Sequence, residues 1–136
     1  MDQWLSEAVT KLLLLGDPNR LEGLIGPIHR DFTHQVSVLQ TEEYLIQIMH
    51  ATVSKVQALR VVAGELGVTR EQVMAIGDNA NDVGMLQWAG TSAAMANATR
   101  EALAAADFIT DHNDADGVAE AIEKVILSER PPTAKK

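Results

Sequence analysis

The chain has 136 residues, of which 46% are hydrophobic, and its formal net charge is −8. This length fits one domain, or one domain with part of another, and the acidic balance argues against binding to nucleic-acid backbones or anionic membranes. The absence of cysteine excludes disulfides, thiolate chemistry and cysteine-ligated zinc. No apolar run approaches the length of a membrane span and no secretory pattern opens the sequence. We therefore expect a cytoplasmic protein.

The first fifty residues predict strand, helix, strand, strand, after a short amphipathic helix at residues 2–10. Residues 11–15 form a compact apolar run that is closed by Gly16-Asp17-Pro18, which predicts a buried strand and a turn. Pro18 suits the first turn of a helix, which we expect to run to about Arg30. Alternating apolar residues predict two further strands at 35–40 and 44–49.

From Ser54 onward the pattern changes to alternating helices and strands. A helix is predicted at 55–66, capped by Ser54 and ended by Gly67. Its inward face should carry Leu59, Val62, Ala63 and Leu66. The closing helix at 117–127 is predicted to bury Val118, Ile122 and Ile126 among others. The elements between them are predicted as strands at 73–76, 91–95 and 108–110 and helices at 83–89 and 98–106, the latter capped by Asn97. This order predicts a parallel sheet with right-handed crossovers.

The strand at 73–76 ends in a polar turn that is the best candidate for chemistry. Ligands bind at the carboxyl ends of strands in open α/β sheets, and Asp78 follows this strand directly. One helical turn would bring the Asp78 and Asp82 carboxylates to the same side, where a helix N-terminus and a cation such as Mg²⁺ would offset their repulsion. Asn79 or Asn81 is expected to cap the new helix. A solvated, capped loop would explain one Asp-Asn pair, but the whole strand–turn–helix pattern favours a site.

Other polar residues give weaker signals. Lys55 begins a helix just after a strand, where its amine can reach the ligand end of the sheet, although the residue alone favours a surface lysine. The Asp114-Ala115-Asp116 stretch is interpreted as a loop with solvated acids before a helix. No Walker-type or dinucleotide glycine pattern is present. The histidines do not cluster at metal-ligand spacing and are assigned surface or structural roles; they are His29, His34, His50 and His112.

A phospho-acceptor receiver domain is an alternative class with a parallel sheet. It requires an acid at the end of an early strand, and Asp17 is the one candidate. Because Pro18 follows Asp17 immediately, a structural turn is the preferred interpretation.

The polar turn also lies within a stretch that resembles a known family. Gly77–Leu86 is similar to the fourth signature of the haloacid dehalogenase-like (HAD) hydrolases, in their Cof-type phosphatase branch. Val53-Ser54-Lys55 resembles the lysine-bearing third signature, although Val56 stands where the branch usually has glycine. Three later stretches resemble the downstream strand, the last strand and the closing helix of the branch: Ala94–Ala98, Ala106–Thr110 and Asp116–Ala119.

The resemblance implies a Mg²⁺-dependent phosphatase that acts on small phosphorylated metabolites. It implies that Asp78 is an Mg²⁺ ligand and that Asp82 supports the metal site. It also implies that Asn81 faces the phosphate or the cap-bound substrate, and that Lys55 holds the nucleophile and the transferring phosphoryl group. The implied fold class is α/β, a Rossmann-like HAD core fragment preceded by a remnant of an α/β cap. The corresponding boundaries are 1–50 for the cap remnant, 51–130 for the core and 131–136 for a disordered tail.

Family members of this type also begin with a strand that ends in Asp-x-Asp, whose first acid attacks phosphorus. These 136 residues contain no such motif at a strand end, so we expect a truncated chain that is inactive alone. The absent strand would lie beside 73–76, and its absence would leave a free sheet edge. We therefore expect self-association or a complementing N-terminal fragment. The alternative is a non-catalytic remnant that binds Mg²⁺ or phosphate, or pairs with another chain.

Overall fold

The computed structural model describes residues 9–128, which belong to two compact units that meet between Val53 and Ser54. The tail predicted at 131–136 lies outside the described residues. The helix predicted at 2–10 also lies almost wholly outside them, and its last two residues, Val9 and Thr10, are not helical. Within the described range no helix is long and apolar enough to cross a membrane.

The first unit is a three-stranded antiparallel sheet with one helix. Strand β3 lies in the middle of the sheet, between β1 and β2, and Leu21 of α1 and Ile46 of β3 are buried. The Asp17 carboxylate accepts a hydrogen bond from the Arg20 N–H and caps α1, which confirms the structural turn preferred over a receiver-domain acid. The elements are β1 (Leu12–Leu15), α1 (Pro18–Asp31), β2 (Val36–Glu42) and β3 (Leu45–His50).

The second unit is a parallel sheet flanked by helices, so the predicted α/β class with a Rossmann-like core is confirmed. The strand order is β4-β5-β6, and both pairings are parallel. Two 3₁₀ turns (Arg70–Gln72 and Ala80–Asp82) lie on either side of β4, and a π-helical segment (Glu123–Leu127) follows α5. The remaining elements are α2 (Lys55–Leu66), β4 (Met74–Gly77), α3 (Val83–Trp88), β5 (Thr91–Met95), α4 (Arg100–Ala105), β6 (Phe108–Thr110) and α5 (Gly117–Ile122).

Small residues form the core of this second unit. Ala75, Leu86, Ala89 and Ala102 make one buried cluster, and β5 is buried over most of its length. Short side chains allow helices and sheet to approach closely, which preserves dispersion contacts at native packing density. The carboxyl end of the sheet is therefore held on a rigid base.

Two predictions about the helices are wrong. Thr99, not Asn97, caps α4, because the Asn97 side chain accepts a hydrogen bond from the Asn113 N–H instead. The predicted inward faces of α2 and of the last helix are partly exposed: Val62 is 53% exposed and Ile126 62% exposed. The apolar periodicity is real, but residues 54–128 leave these side chains partly uncovered.

Candidate functional site

The candidate site is built on the end of β4, where glycine allows the chain to fold back on itself. A Cβ atom at Gly77 would lie 2.5 Å from the Asp82 Cβ and 2.9 Å from its Oδ2. Only glycine leaves this volume free for the Asp82 side chain. Asn79 caps the 3₁₀ turn that carries Asp82, since its side-chain oxygen accepts from the Ala80 N–H at 2.7 Å.

Asp82 is buried, and each of its carboxylate oxygens accepts hydrogen bonds. Its side chain is 2% exposed; Oδ1 accepts from the Lys55 ammonium, and Oδ2 accepts from the N–H groups of Asp78 (3.0 Å) and Asn79 (3.1 Å). Burial acts to raise the pKa of Asp82, but the Lys55 hydrogen bond, the two backbone hydrogen bonds and the Lys55 charge outweigh it, so this pKa lies below its ordinary value. The carboxylate is therefore ionised, and both of its oxygens are used in hydrogen bonds that stabilise the turn after β4.

Lys55 reaches this carboxylate from the first turn of α2. Ser54 caps that helix by accepting from the Gln57 N–H, which fixes where the lysine side chain leaves the backbone. The Lys55 side chain is 50% exposed and also lines the cleft described below, so it can face both Asp82 and a ligand. The structure thus brings together two sequence-predicted residues that are 27 positions apart.

An open cleft of about 380 Å³ lies at this end of the sheet. Asp78 is exposed and lines the cleft. Asn81 does not line it; its Oδ1 atom is buried and accepts no hydrogen bond from residues 9–128. No group of three or more acidic or histidine side chains gathers at metal-binding distances in this part of the chain. The cleft is lined by Lys55, Ile76, Gly77, Asp78, Asp82, Met85, Met95, Asn113 and Val118.

Asn113 was missed by reasoning from the sequence. It lies in the loop after β6, and its backbone N–H is held by the Asn97 side chain at 3.1 Å. Its position shortly after β6 could have indicated it, because ligands bind at the carboxyl ends of the strands in a parallel sheet. The predicted solvated acids of this loop behave as expected, since Asp114 is 79% exposed and lies 2.6 Å from the His112 ring.

Comparison with known proteins agrees with this architecture. Residues 2–122 match the family model for haloacid dehalogenase-like hydrolases. The chain belongs to that family. The predicted assignment to its Cof-type phosphatase branch is also confirmed.

Individual proteins are also similar to this chain over most of its length. YxeH of Bacillus subtilis is 38% identical over 120 residues, which are 88% of this chain and 44% of YxeH. A phosphoglycolate phosphatase of Methanoculleus marisnigri is 37% identical over 79% of this chain and 44% of the relative. A crystal structure of a haloacid dehalogenase-like hydrolase from Bacteroides thetaiotaomicron superposes with a TM-score of 0.80 at 36% identity, covering 90% of this chain and 47% of that one. The chain thus spans less than half the length of these relatives.

Proposed function

We propose that this chain supplies the metal and lysine side of an Mg²⁺-dependent phosphatase that acts on small phosphorylated metabolites. The observation that carries the proposal is the Lys55–Asp82 ion pair at the end of β4, beside the exposed Asp78. The phosphoglycolate phosphatase among the relatives supports the substrate class. A cytoplasmic location stays a prediction from the sequence.

The side chains fit the needs of phosphoryl transfer. The Lys55 ammonium, on a side chain that lines the cleft, supplies a fixed positive charge where negative charge accumulates on equatorial oxygens. Mg²⁺, when bound, would neutralise charge and orient the phosphate. Because Mg²⁺ keeps several waters and needs only one or two carboxylates, the exposed Asp78 suits it as a direct ligand. The role of Asn81 at the phosphate or substrate stays a prediction from the family resemblance, since its side chain does not line the cleft.

Asp82 serves the metal site indirectly in this proposal. All of its hydrogen bonds are made to Lys55 and to the backbone of Asp78 and Asn79. It therefore holds the Asp78 backbone and the Lys55 ammonium in place at the cleft. This support is the role we assign to the second acid of the predicted pair.

A calorimetric titration with Mg²⁺ alone tests the metal assignment. We expect Asp78→Asn to weaken binding at least about tenfold, because the ion loses its one charged ligand. Glu65→Gln is the matched control, since this exposed acid lies ten residues beyond Lys55 on α2, about 15 Å along the helix axis. Equal Mg²⁺ affinity in the parent and Asp78→Asn would contradict the assignment.

The nucleophile is the part that we do not assign to these residues. No Asp-x-Asp pair stands at a strand end, and Asp114-x-Asp116 lies in an exposed loop. We therefore propose that residues 1–136 alone hydrolyse para-nitrophenyl phosphate with Mg²⁺ no faster than their Asp78→Ala variant. A parent rate well above the variant rate would show that the chain holds its own nucleophile, and would refute this part of the proposal.

The free edge of β4 favours a second, non-catalytic role as a partner in assembly. Within residues 9–128, β4 pairs with β5 alone, and an unpaired strand edge readily accepts another strand. Exposed apolar side chains on α2 (Val61, Val62 and Leu66) add surface that a partner would cover. We propose self-association or a complementing N-terminal fragment. Light scattering that shows a monomer at about 100 μM, together with cooperative melting, would contradict this role.

A further inference from the structure

A second cleft in the unit that contains residues 54–128 shares no lining residue with the candidate site. It has a volume of about 320 Å³, at the lower end of the range for small-molecule sites. Helix α2 forms one side, helix α3 the other, and the 3₁₀ turn at Arg70–Gln72 contributes to its wall. Its lining residues are Val56, Arg60, Arg70, Gly84, Gln87 and Trp88.

The two helices approach closely at the apolar part of this cleft. A Cβ atom at Gly84 would lie 3.1 Å from Cγ1 of Val56, so these two residues are already near contact. Val56 follows Lys55 directly, and Gly84 is two residues beyond Asp82. The cleft therefore lies next to the ion pair in sequence: Lys55 is on α2, and Asp82 ends the 3₁₀ turn that leads into α3.

Arg60 is held against an aromatic surface. Its guanidinium carbon lies 5.9 Å from the centre of the Trp88 ring, within the range of a cation–π contact. This contact reduces the freedom of the side chain, so less conformational entropy is lost when the guanidinium binds an anion.

Arg70 is fixed through its backbone. Its carbonyl oxygen accepts hydrogen bonds from the N–H groups of Gly90 (2.9 Å) and Val73 (3.1 Å). A Cβ atom at Gly90 would lie 2.7 Å from that oxygen, so glycine is what allows the turn to pack here. The second guanidinium thus extends from an anchored position on the cleft wall.

Among the described residues, no acidic side chain forms an ion pair with either guanidinium, although the charge of Arg70 acts on the adjacent, exposed Glu71. The ion pairs there involve Arg30, Lys55 and His112, and neither Arg60 nor Arg70 donates a side-chain hydrogen bond. Residues 54–128 contain eleven acidic and five basic residues. Two of those five line one cleft, which concentrates positive charge in an otherwise acidic unit.

We propose that this cleft binds a di- or polyphosphate anion, with Arg60 and Arg70 on its oxygens and the Trp88 indole beside it. Guanidinium groups pair with phosphate oxygens through two parallel N–H donors. Because two guanidiniums from separate elements line one cleft, each can pair with a different phosphoryl group of the same anion. This site is independent of Asp78 and of the proposed phosphatase activity.

Fluorescence of Trp88 tests the proposal on the full chain. The background is Trp4→Phe, which leaves Trp88 as the sole tryptophan, and the probe is inorganic pyrophosphate in EDTA, so that no divalent ion recruits it elsewhere. We expect a saturable change whose affinity falls as salt rises. Arg60→Gln and Arg70→Gln should each weaken binding at least about tenfold.

Two matched controls separate this site from others. Arg100→Gln removes an exposed arginine from α4, and Lys55→Gln removes the cation of the candidate site; both should bind pyrophosphate within about twofold of the parent. Circular dichroism melting verifies that each variant is folded. If Arg60→Gln melts at a lower temperature than the parent, the test rests on Arg70→Gln, whose side chain lies on an exposed turn. No saturable change up to about 5 mM (about −3 kcal/mol), unchanged affinity in both arginine variants, or loss of binding in Lys55→Gln would overturn the proposal.

Discussion

Replacing Asp82 by alanine should cost about 3–5 kcal/mol of the free energy of unfolding. The side chain is 2% exposed and accepts three hydrogen bonds, from the Lys55 ammonium and from the N–H groups of Asp78 and Asn79. Alanine would leave two backbone donors without a partner, at about 1–3 kcal/mol each. It would also open a cavity against Gly77.

Lys55→Met should cost less, about 1–2 kcal/mol, because the Lys55 side chain is half exposed and solvent screens its attraction to Asp82. The double variant should cost less than the sum of the two singles, by about 1 kcal/mol, since each single removes the same ion pair. Urea unfolding at pH 7, followed by circular dichroism, measures all three variants.

Asp114→Ala is the matched control for this cycle. Its carboxylate is 79% exposed, so its loss should change the free energy of unfolding by no more than about 0.5 kcal/mol. If Asp82→Ala were as mild as this control, the hydrogen bonds described for Asp82 would not stabilise the fold, and the reasoning would be refuted.

Two further predictions concern the same corner of the molecule. Because the folded pKa of Asp82 lies below its unfolded value of about 3.9, the stability it contributes is present above that value and lost as the pH falls through the folded pKa. Urea unfolding between about pH 2.5 and 6 should therefore show a steeper acid loss in the parent than in Asp82→Asn, and parallel curves would contradict this. Gly77→Ala should destabilise by about 3 kcal/mol or more, since its Cβ would overlap Asp82, whereas Gly64→Ala, with open space around it, should stabilise α2 by about 0.5–1 kcal/mol. Calorimetric melting that ranked Gly77→Ala at or above Gly64→Ala would refute the steric argument.

Local signals sufficed to predict most helices and strands. The helix α2 begins and ends where the sequence predicts, because Ser54 caps it and Gly67 adopts the left-handed conformation (φ 65°) that ends it. The α/β order likewise predicted the parallel sheet. These features depend on residues within one or two turns of each other, which a sequence displays directly.

Features that depend on distant residues were not predictable in the same way. Asn97 and Thr99 are both residue types that cap helices well. Thr99 caps α4, because the Asn97 side chain accepts a hydrogen bond from the N–H of Asn113, 16 residues further on. The exposure of Val62 and Leu66 depends on whether a covering partner exists, whereas periodicity shows only that they share an apolar face. A local pattern carries no information on either point.

In the candidate site too, some features could be predicted from neighbouring residues and others depend on distant ones. The alternation of elements predicted that Lys55 and the polar turn would meet at the ligand end of the sheet. It did not predict that Asp82 would be buried with both oxygens occupied, because that depends on the space left by Gly77. The roles of Asp78, Asp82, Asn81 and Lys55 in catalysis stay predictions, and the Mg²⁺ titration tests the one assigned to Asp78.

Because glycine at residue 77 has no side chain, Gly77 and Asp82 must be kept together in any redesign. A protein engineer who grafts the lysine–aspartate pair onto another Rossmann-like scaffold must graft the glycine as well, since any larger residue occupies the space of the acid. Homologous scaffolds with alanine at this strand end would reject the aspartate or push it into solvent. Gly77 therefore limits which sheets can accept a buried aspartate at the position of Asp82.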